Sequence, residues 1–152
     1  MSKLSNDYIK LLEDKLGAIE GMLSLTQAKT FTGQAAKSEE EAESFIDLYN
    51  RRSDYIIQIE KAQQALSNLD ALDFDDVEDE GFQKKVLEFN DKMRTAAKAI
   101  SDLDKQNMEA YEKISAHFKG NMKQVRNNIS LTNSYDGFTD TNQGYYLDKK
   151  KV

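Results

Sequence analysis

The sequence lacks proline, cysteine and tryptophan, and it has a single histidine among its 152 residues. Because proline interrupts helices, a chain of this length without one suits long uninterrupted helices. The absence of cysteine excludes disulfides, thiolate metal sites and a cysteine nucleophile. The residue three positions before His117 is Ile114, so the Glu-x-x-His pair of di-iron bundles is missing. The side chains on which many catalytic and metal sites depend are therefore scarce.

A net positive charge and long apolar runs are also missing. The formal net charge is −6, whereas a nucleic-acid-binding surface is expected to be basic. No run of 18 apolar residues is present to predict a membrane span, and the N-terminus turns polar too soon for a secretory signal. The sequence has no phosphate-binding loop, catalytic triad or metal cluster. We therefore expect a cytoplasmic protein that is not an enzyme, needs no cofactor or metal, and neither binds nucleic acid nor inserts into a membrane.

Apolar residues recur every three or four positions in three segments, which is typical of amphipathic helices. The predicted helices run over about 5–28, 39–70 and 82–130. The predicted fold is all-α, an elongated antiparallel three-helix bundle or coiled coil over residues 1–131 with a long third helix. The periodicity then stops, which predicts a flexible C-terminal tail over 132–152.

Glycines lie within the first of these helices, and polar residues fall on the apolar stripes of the other two, Gln63 among them. Gly17 and Gly21 in the first helix predict the close approach of a neighbouring helix. Arg52 in the second helix is expected either to extend towards solvent or to pair with an acid from a facing helix. Asn107 in the third helix is expected to fix the helix register.

The segment from Asp70 to Glu80 is strongly acidic and separates the second and third helices. The acidic residues suggest an EF-hand calcium loop. However, each alignment of the loop pattern on this segment lacks either the required glycine or the bidentate acid. We expect an acidic turn that leads into the positively polarised N-terminus of the third helix.

The third predicted helix is about 70 Å long, which is about 25 Å longer than the second. Its C-terminal apolar residues are then left without an internal partner, as in a partner site, a dimer contact or a dock for the tail. The candidate partner-binding residues are Tyr111, Ile114, Phe118, Met122, Val125 and Ile129. The tail adds aromatic residues at Tyr135, Phe138, Tyr145 and Tyr146. These aromatics either dock on another protein or fold back over the bundle.

Two segments carry a family resemblance. The second helix has the form Leu-x-x-x-Arg-x-x-x-Ile-x-x-Ile, here Leu48, Arg52, Ile56 and Ile59. The tail contains Tyr146, Asp148, Lys149 and Lys150 near its end. With the order of the helices, these segments make the chain similar to FlgN/FliT-type flagellar export chaperones, in the version found in Gram-positive, clostridium-like bacteria.

This resemblance implies a cytoplasmic type III export chaperone. Such a protein binds the C-terminal helical segment of flagellar hook-filament junction or filament-cap subunits and delivers them to the flagellar export gate. The client adds an amphipathic helix to the C-terminal part of the third helix, and Tyr145 and Tyr146 are implied to dock on the gate. The alternatives are a structural coiled-coil protein that self-associates as a homodimer through the same stripe and, more weakly, an acidic calcium binder.

Overall fold

The computed structural model describes residues 2–29, 31, 38–70, 72, 79–114 and 126–131. Of the residues described, 94% are helical and none lies in a strand, which confirms the predicted all-α fold. The three long helices are α1, Lys3–Gln27; α2, Ser38–Asp70; and α3, Glu80–Ile114. A short helical segment at residues 126–131 follows them and is called the docking segment below.

Side chains just outside two of the helices satisfy the first backbone amides. The hydroxyl of Ser2 accepts a hydrogen bond from the Ser5 amide at 3.2 Å and caps α1. Oδ1 of Asp79 accepts a hydrogen bond from the Phe82 amide at 2.8 Å and caps α3. The end of the acidic connector therefore starts α3, where a negative charge also interacts favourably with the helix dipole. Residues 73–78 of the connector lie outside the described residues.

The three long helices run alternately up and down. Nζ of Lys15 donates a hydrogen bond to Gln63 at 2.7 Å, and Nζ of Lys29 donates one to Ser44 at 2.9 Å, so α1 and α2 are antiparallel. Helix α1 packs closely against both of the others, whereas the backbones of α2 and α3 approach each other at few points. Long side chains therefore bridge α2 and α3.

Most of the interior is one apolar cluster, called the proximal cluster, to which all three helices contribute. Its buried members are Tyr8, Ile9, Leu12, Leu16, Ala18, Ile19, Met22, Ile56, Ile59, Leu66, Phe82, Val86, Met93, Ala96 and Ile100. Tyr8 and Phe82 meet edge to face with ring centroids 5.8 Å apart, which ties the starts of α1 and α3 together. Each large apolar side chain buried in this way stabilises the fold by about 1.5–3 kcal/mol.

A second apolar cluster, the distal cluster, lies beside the first half of α2 and the end of α3. Its buried members are Phe31, Ala42, Phe45, Leu48, Tyr49, Ala110 and Tyr111. Leu25, Met108 and Ile129 pack against it and are partly buried. Because α1 ends at Gln27, its place beside the distal cluster is taken in part by Phe31.

A single straight helix over 82–130 does not agree with the contacts of the described residues. Such a helix would place Asp104 and Asn128 about 36 Å apart. Both residues instead contact Tyr49, because Asp104 accepts a hydrogen bond from the Tyr49 hydroxyl at 2.7 Å and Asn128 donates one to the Tyr49 carbonyl at 2.8 Å. Helix α3 is described only as far as Ile114, and the docking segment lies back against α2.

None of the helices in the part of the chain that the structure describes combines the length and the apolarity needed to cross a bilayer.

Candidate partner-binding site

A buried ion pair joins α2 to α3 at the edge of the distal cluster. Arg52 is fully buried and Asp104 is 2% exposed, and the guanidinium donates to both carboxylate oxygens at 2.5 and 3.1 Å. The guanidinium carbon also lies 4.5 Å from the ring centroid of Tyr49, a cation–π contact. Of the two expectations for Arg52, pairing with an acid from a facing helix is therefore confirmed.

The hydroxyl of Tyr49 donates to the same carboxylate at 2.7 Å. Burial, followed by the negative charge of Asp104, raises the pKa of Tyr49 above its ordinary value of 10.0. At neutral pH the hydroxyl is therefore protonated and donates to Asp104. With its carboxylate held by both Arg52 and Tyr49, Asp104 has a structural role in this arrangement.

Four aromatic rings form the centre of the distal cluster. Phe45 is stacked on Tyr111 with centroids 4.2 Å apart, and it lies 4.6 Å from Tyr49 and 5.0 Å from Phe31. Aromatic pairs of this kind contribute about 0.5–1.5 kcal/mol each beyond the area they bury. The stack joins α2, α3 and the connector before α2 at a point where α1 has ended.

The docking segment lies in a groove between α2 and α3. Nδ2 of Asn128 donates to the backbone carbonyl of Tyr49 at 2.8 Å and lies 3.5 Å from the Ser53 hydroxyl, both on α2. Ile129 packs against the distal cluster and lines a cavity with residues of α3. The segment therefore contacts both walls of the groove, although it is only six residues long.

An open cavity of about 320 Å³ remains between the docking segment and α3. Met108 and Ile129 form its apolar part, while Lys105, Glu109 and Glu112 provide charged groups around them. The remaining lining residues are Ser101 and Asp104. The lining thus has an apolar strip with charged borders, which is the pattern that an amphipathic helix complements. We call this cavity and the docking segment beside it the distal groove.

Two of the six candidate partner-binding residues have described side chains. Tyr111 is fully buried in the aromatic stack, so the prediction that it lies on an unpartnered face is wrong. Burial raises the pKa of its hydroxyl. Ile129 is partly buried and borders the distal groove, and Leu131 beside it is 42% exposed.

The other candidate residues are outside the described part of the chain. Ile114 ends α3 but its side chain is not described, and Phe118, Met122 and Val125 fall in 115–125. Tyr145 and Tyr146, with the rest of 132–152, and His117 also lie outside the described residues. Within the described ranges, no three histidine, cysteine or acidic side chains are grouped so as to hold a metal ion.

Three residues of the distal groove and its surroundings were missed by sequence reasoning. Asp104 is spaced by three or four residues from Ile100 and Asn107, and the same spacing continues to Tyr111. This helical spacing places Asp104 on the buried side of α3. The signal was available because a buried arginine on a facing helix requires an acid. Phe31 and Asn128 lie outside the long stripes and had no comparable local signal.

Comparison of the chain with protein-family models, with curated proteins and with solved structures gives no match.

Proposed function

We propose that this protein is a cytoplasmic type III export chaperone and not an enzyme. Its client is the C-terminal helical segment of a flagellar hook-filament junction subunit or filament-cap subunit, which it delivers to the flagellar export gate. The resemblance of Leu48, Arg52, Ile56 and Ile59, and of the tail ending, to FlgN/FliT-type chaperones supports the identity of the client.

The distal groove is the observation that carries the binding part of this proposal. Met108 and Ile129 give it an apolar strip, and the exposed side chains of Lys105, Glu109 and Glu112 border that strip. A client helix that covers the strip buries apolar area and keeps its polar face towards solvent. Methionine suits such a surface because its flexible thioether adapts to different partner shapes.

The proposed client site differs from the one expected from sequence. Tyr111 belongs to the interior and supports the groove from below, since its ring is stacked on Phe45. We therefore assign the contact with the client to Met108, Ile129 and Leu131 among the described residues. Ordering the client's helix opposes binding, which keeps the affinity moderate and allows release at the gate.

Binding is tested by titration calorimetry of the full chain with the purified C-terminal segment of a hook-filament junction subunit. We expect Met108→Glu to weaken binding at least about tenfold, since a charge then enters the apolar strip. The matched control is Ile57→Glu, because Ile57 is 50% exposed and does not line the groove. Circular dichroism checks that both variants remain helical. Equal affinities for the two variants would place the client elsewhere, and absence of binding by the unsubstituted chain to junction and cap segments would contradict the function.

Delivery to the gate is assigned to Tyr145 and Tyr146. We expect the double substitution to alanine to abolish binding to the cytoplasmic part of the export gate while client affinity stays within about twofold, because neither tyrosine is among the groove residues assigned to the client. Light scattering on the free protein tests the alternative. A stable homodimer whose formation blocks the client would favour a self-associating coiled-coil protein.

A further inference from the structure

The two apolar clusters are separated by polar residues on both helices that pass through them. In α2 the buried residue between Tyr49 of the distal cluster and Ile56 of the proximal cluster is Arg52. In α3, Asp104 and Asn107 are the buried residues between Ile100 and Ala110. The clusters share no buried residue. A buried polar layer therefore separates the two clusters in both α2 and α3.

Among the described residues, no complete third helix covers the half of the bundle around the distal cluster. Helix α1 contributes only the partly buried Leu25 to that cluster before it ends at Gln27. The other cover that the described residues provide comes from Phe31 and the six-residue docking segment, which are short pieces of chain. In contrast, α1 covers the proximal cluster from Tyr8 to Met22.

Opening of the distal half leaves the proximal packing in place. The residues that separate are those of the distal cluster, and none of them is a buried member of the proximal cluster. When the polar layer is exposed, Arg52 and Asp104 regain their hydration, which offsets part of the lost ion pair. Opening the proximal half would separate a larger apolar cluster to which all three helices contribute, and this loss outweighs the rehydration of buried polar residues such as Lys15 and Asn90.

We propose that the distal half opens as a unit while the proximal half stays folded, with the Arg52–Asp104 layer as the boundary. The unit comprises residues 38–52 of α2, residues 104–114 of α3, Phe31 and the docking segment. Its opening uncovers the stacked rings of Phe45 and Tyr111. This device is a property of the free chain and does not depend on the client assigned above.

Native-state hydrogen exchange of the full chain, followed at increasing denaturant below the unfolding transition, tests the proposal. We expect amides of the distal half to exchange at least about tenfold faster than proximal amides at zero denaturant. Their exchange should also depend less on denaturant, because distal opening exposes less surface than complete unfolding. Equal rates and equal denaturant dependence in the two halves would overturn the proposal.

Two conservative variants give a sharper test. Ile59→Val weakens the proximal cluster, which is intact in the native state and in the distally opened state alike. We expect it to speed proximal exchange by roughly fivefold and to leave distal exchange unchanged. Phe45→Leu weakens the distal cluster, which is lost in both opening and unfolding, so it should speed exchange in both halves by the same factor. In a bundle that unfolds as one unit, each of the two variants would instead speed amide exchange in both halves.

The boundary itself is tested by Asp104→Asn, which removes the charge and keeps the shape. If the ion pair breaks when the distal half opens, this variant behaves as Phe45→Leu does and speeds exchange in both halves equally. The expected factor is roughly 100-fold or more, since the buried guanidinium of Arg52 loses the carboxylate charge that faces it. Unchanged distal exchange would assign the pair to the proximal unit and overturn the boundary.

Discussion

Arg52 and Asp104 hold each other by two hydrogen bonds across the α2–α3 contact, with both side chains inside the bundle. Removing one partner takes away the opposite charge that faces the other inside the bundle. We expect Arg52→Met to lower the free energy of unfolding by about 3–5 kcal/mol. The double variant Arg52→Met with Asp104→Leu should lose less free energy of unfolding than either single variant, because neither charge of the pair then remains inside the bundle. Urea unfolding of the four proteins measures this coupling.

The surface ion pair between Arg51 and Asp47 provides the matched control. Its atoms are 3.1 Å apart on the same helix, but both side chains are more than 60% exposed, at 67% and 62%. Solvent screening leaves such a pair with about 0.3–0.5 kcal/mol. Asp47→Asn should therefore change stability by no more than this amount. For the buried pair, the contrary result is a double variant that loses as much free energy of unfolding as the two single variants combined. Arg52 and Asp104 would then contribute independently.

The two glycines of α1 have opposite surroundings. A Cβ atom at Gly21 would lie 2.5 Å from Cε1 of Tyr55, whereas a Cβ at Gly17 would meet nothing within 4 Å. Close approach of a neighbouring helix is therefore confirmed at Gly21, and the same expectation for Gly17 is wrong. We expect Gly17→Ala to stabilise the protein by about 1 kcal/mol through helix propensity alone.

At Gly21 the gain in helix propensity from alanine is opposed, because the added Cβ atom must displace the ring of Tyr55. Gly21→Ala should therefore be at least about 1 kcal/mol less stable than Gly17→Ala, because overpacking costs about 1–3 kcal/mol. Thermal unfolding of both variants under one condition makes the comparison. Equal stabilisation by the two substitutions would mean that Tyr55 moves aside freely.

The elements that depend on local sequence were predictable. The apolar spacing placed the first two helices within two residues of Lys3–Gln27 and Ser38–Asp70, because a helix buries one face with a fixed period. The position of Arg52 on a buried stripe likewise required a partner. Neither inference needs knowledge of which helix lies opposite.

The candidate site depended on long-range geometry that the spacing does not encode. An apolar stripe over 82–130 has the same period whether it belongs to one rod or to two segments that pack on each other. The contact of Asn128 with Tyr49 distinguishes the two, and it joins residues 79 positions apart. The burial of Tyr111 follows from its stacking on Phe45, which is equally non-local.

Lys15 makes the stability of the protein depend on pH. Its side chain is fully buried, and Nζ donates to Gln63. Burial lowers the pKa of Lys15 to about 8, an effect that the negative charge of Asp70 partly opposes. Between about pH 8 and pH 10.5 the unfolded chain therefore binds more protons than the folded chain, so the free energy of unfolding rises with pH. The rise is about 3 kcal/mol at most.

Lys15→Met removes this dependence. The variant should be more stable than the unsubstituted chain at pH 7, and the difference should shrink as the pH rises through 8 to 10. Ionisation of Tyr49 and Tyr111 in the unfolded state destabilises both proteins above about pH 10, because their pKa values are raised by folding, and this effect cancels in the difference. Urea unfolding at each pH gives the two curves. Parallel curves would show that Lys15 keeps its ordinary pKa.

Asn90 is a polar residue inside the apolar part of α3. It is fully buried, and neither atom of its amide has a hydrogen-bond partner among the described residues. An unsatisfied buried amide costs about 1–3 kcal/mol, so Asn90→Leu, which has a similar volume, should raise the free energy of unfolding by about that amount. Gln106→Leu is the control, since Gln106 is exposed on the same helix and a surface change there stays within about 0.5 kcal/mol.

The same variant tests why a polar residue is kept there. Buried asparagines in helical bundles fix the register and the number of chains at a cost in stability. If Asn90 acts in this way, Asn90→Leu gains stability but forms larger assemblies or a broadened set of conformers, which light scattering and the dispersion of NMR signals measure. A more stable variant that stays uniform would assign no specifying role to Asn90. A less stable variant would mean that the amide has a hydrogen-bond partner, such as a buried water molecule.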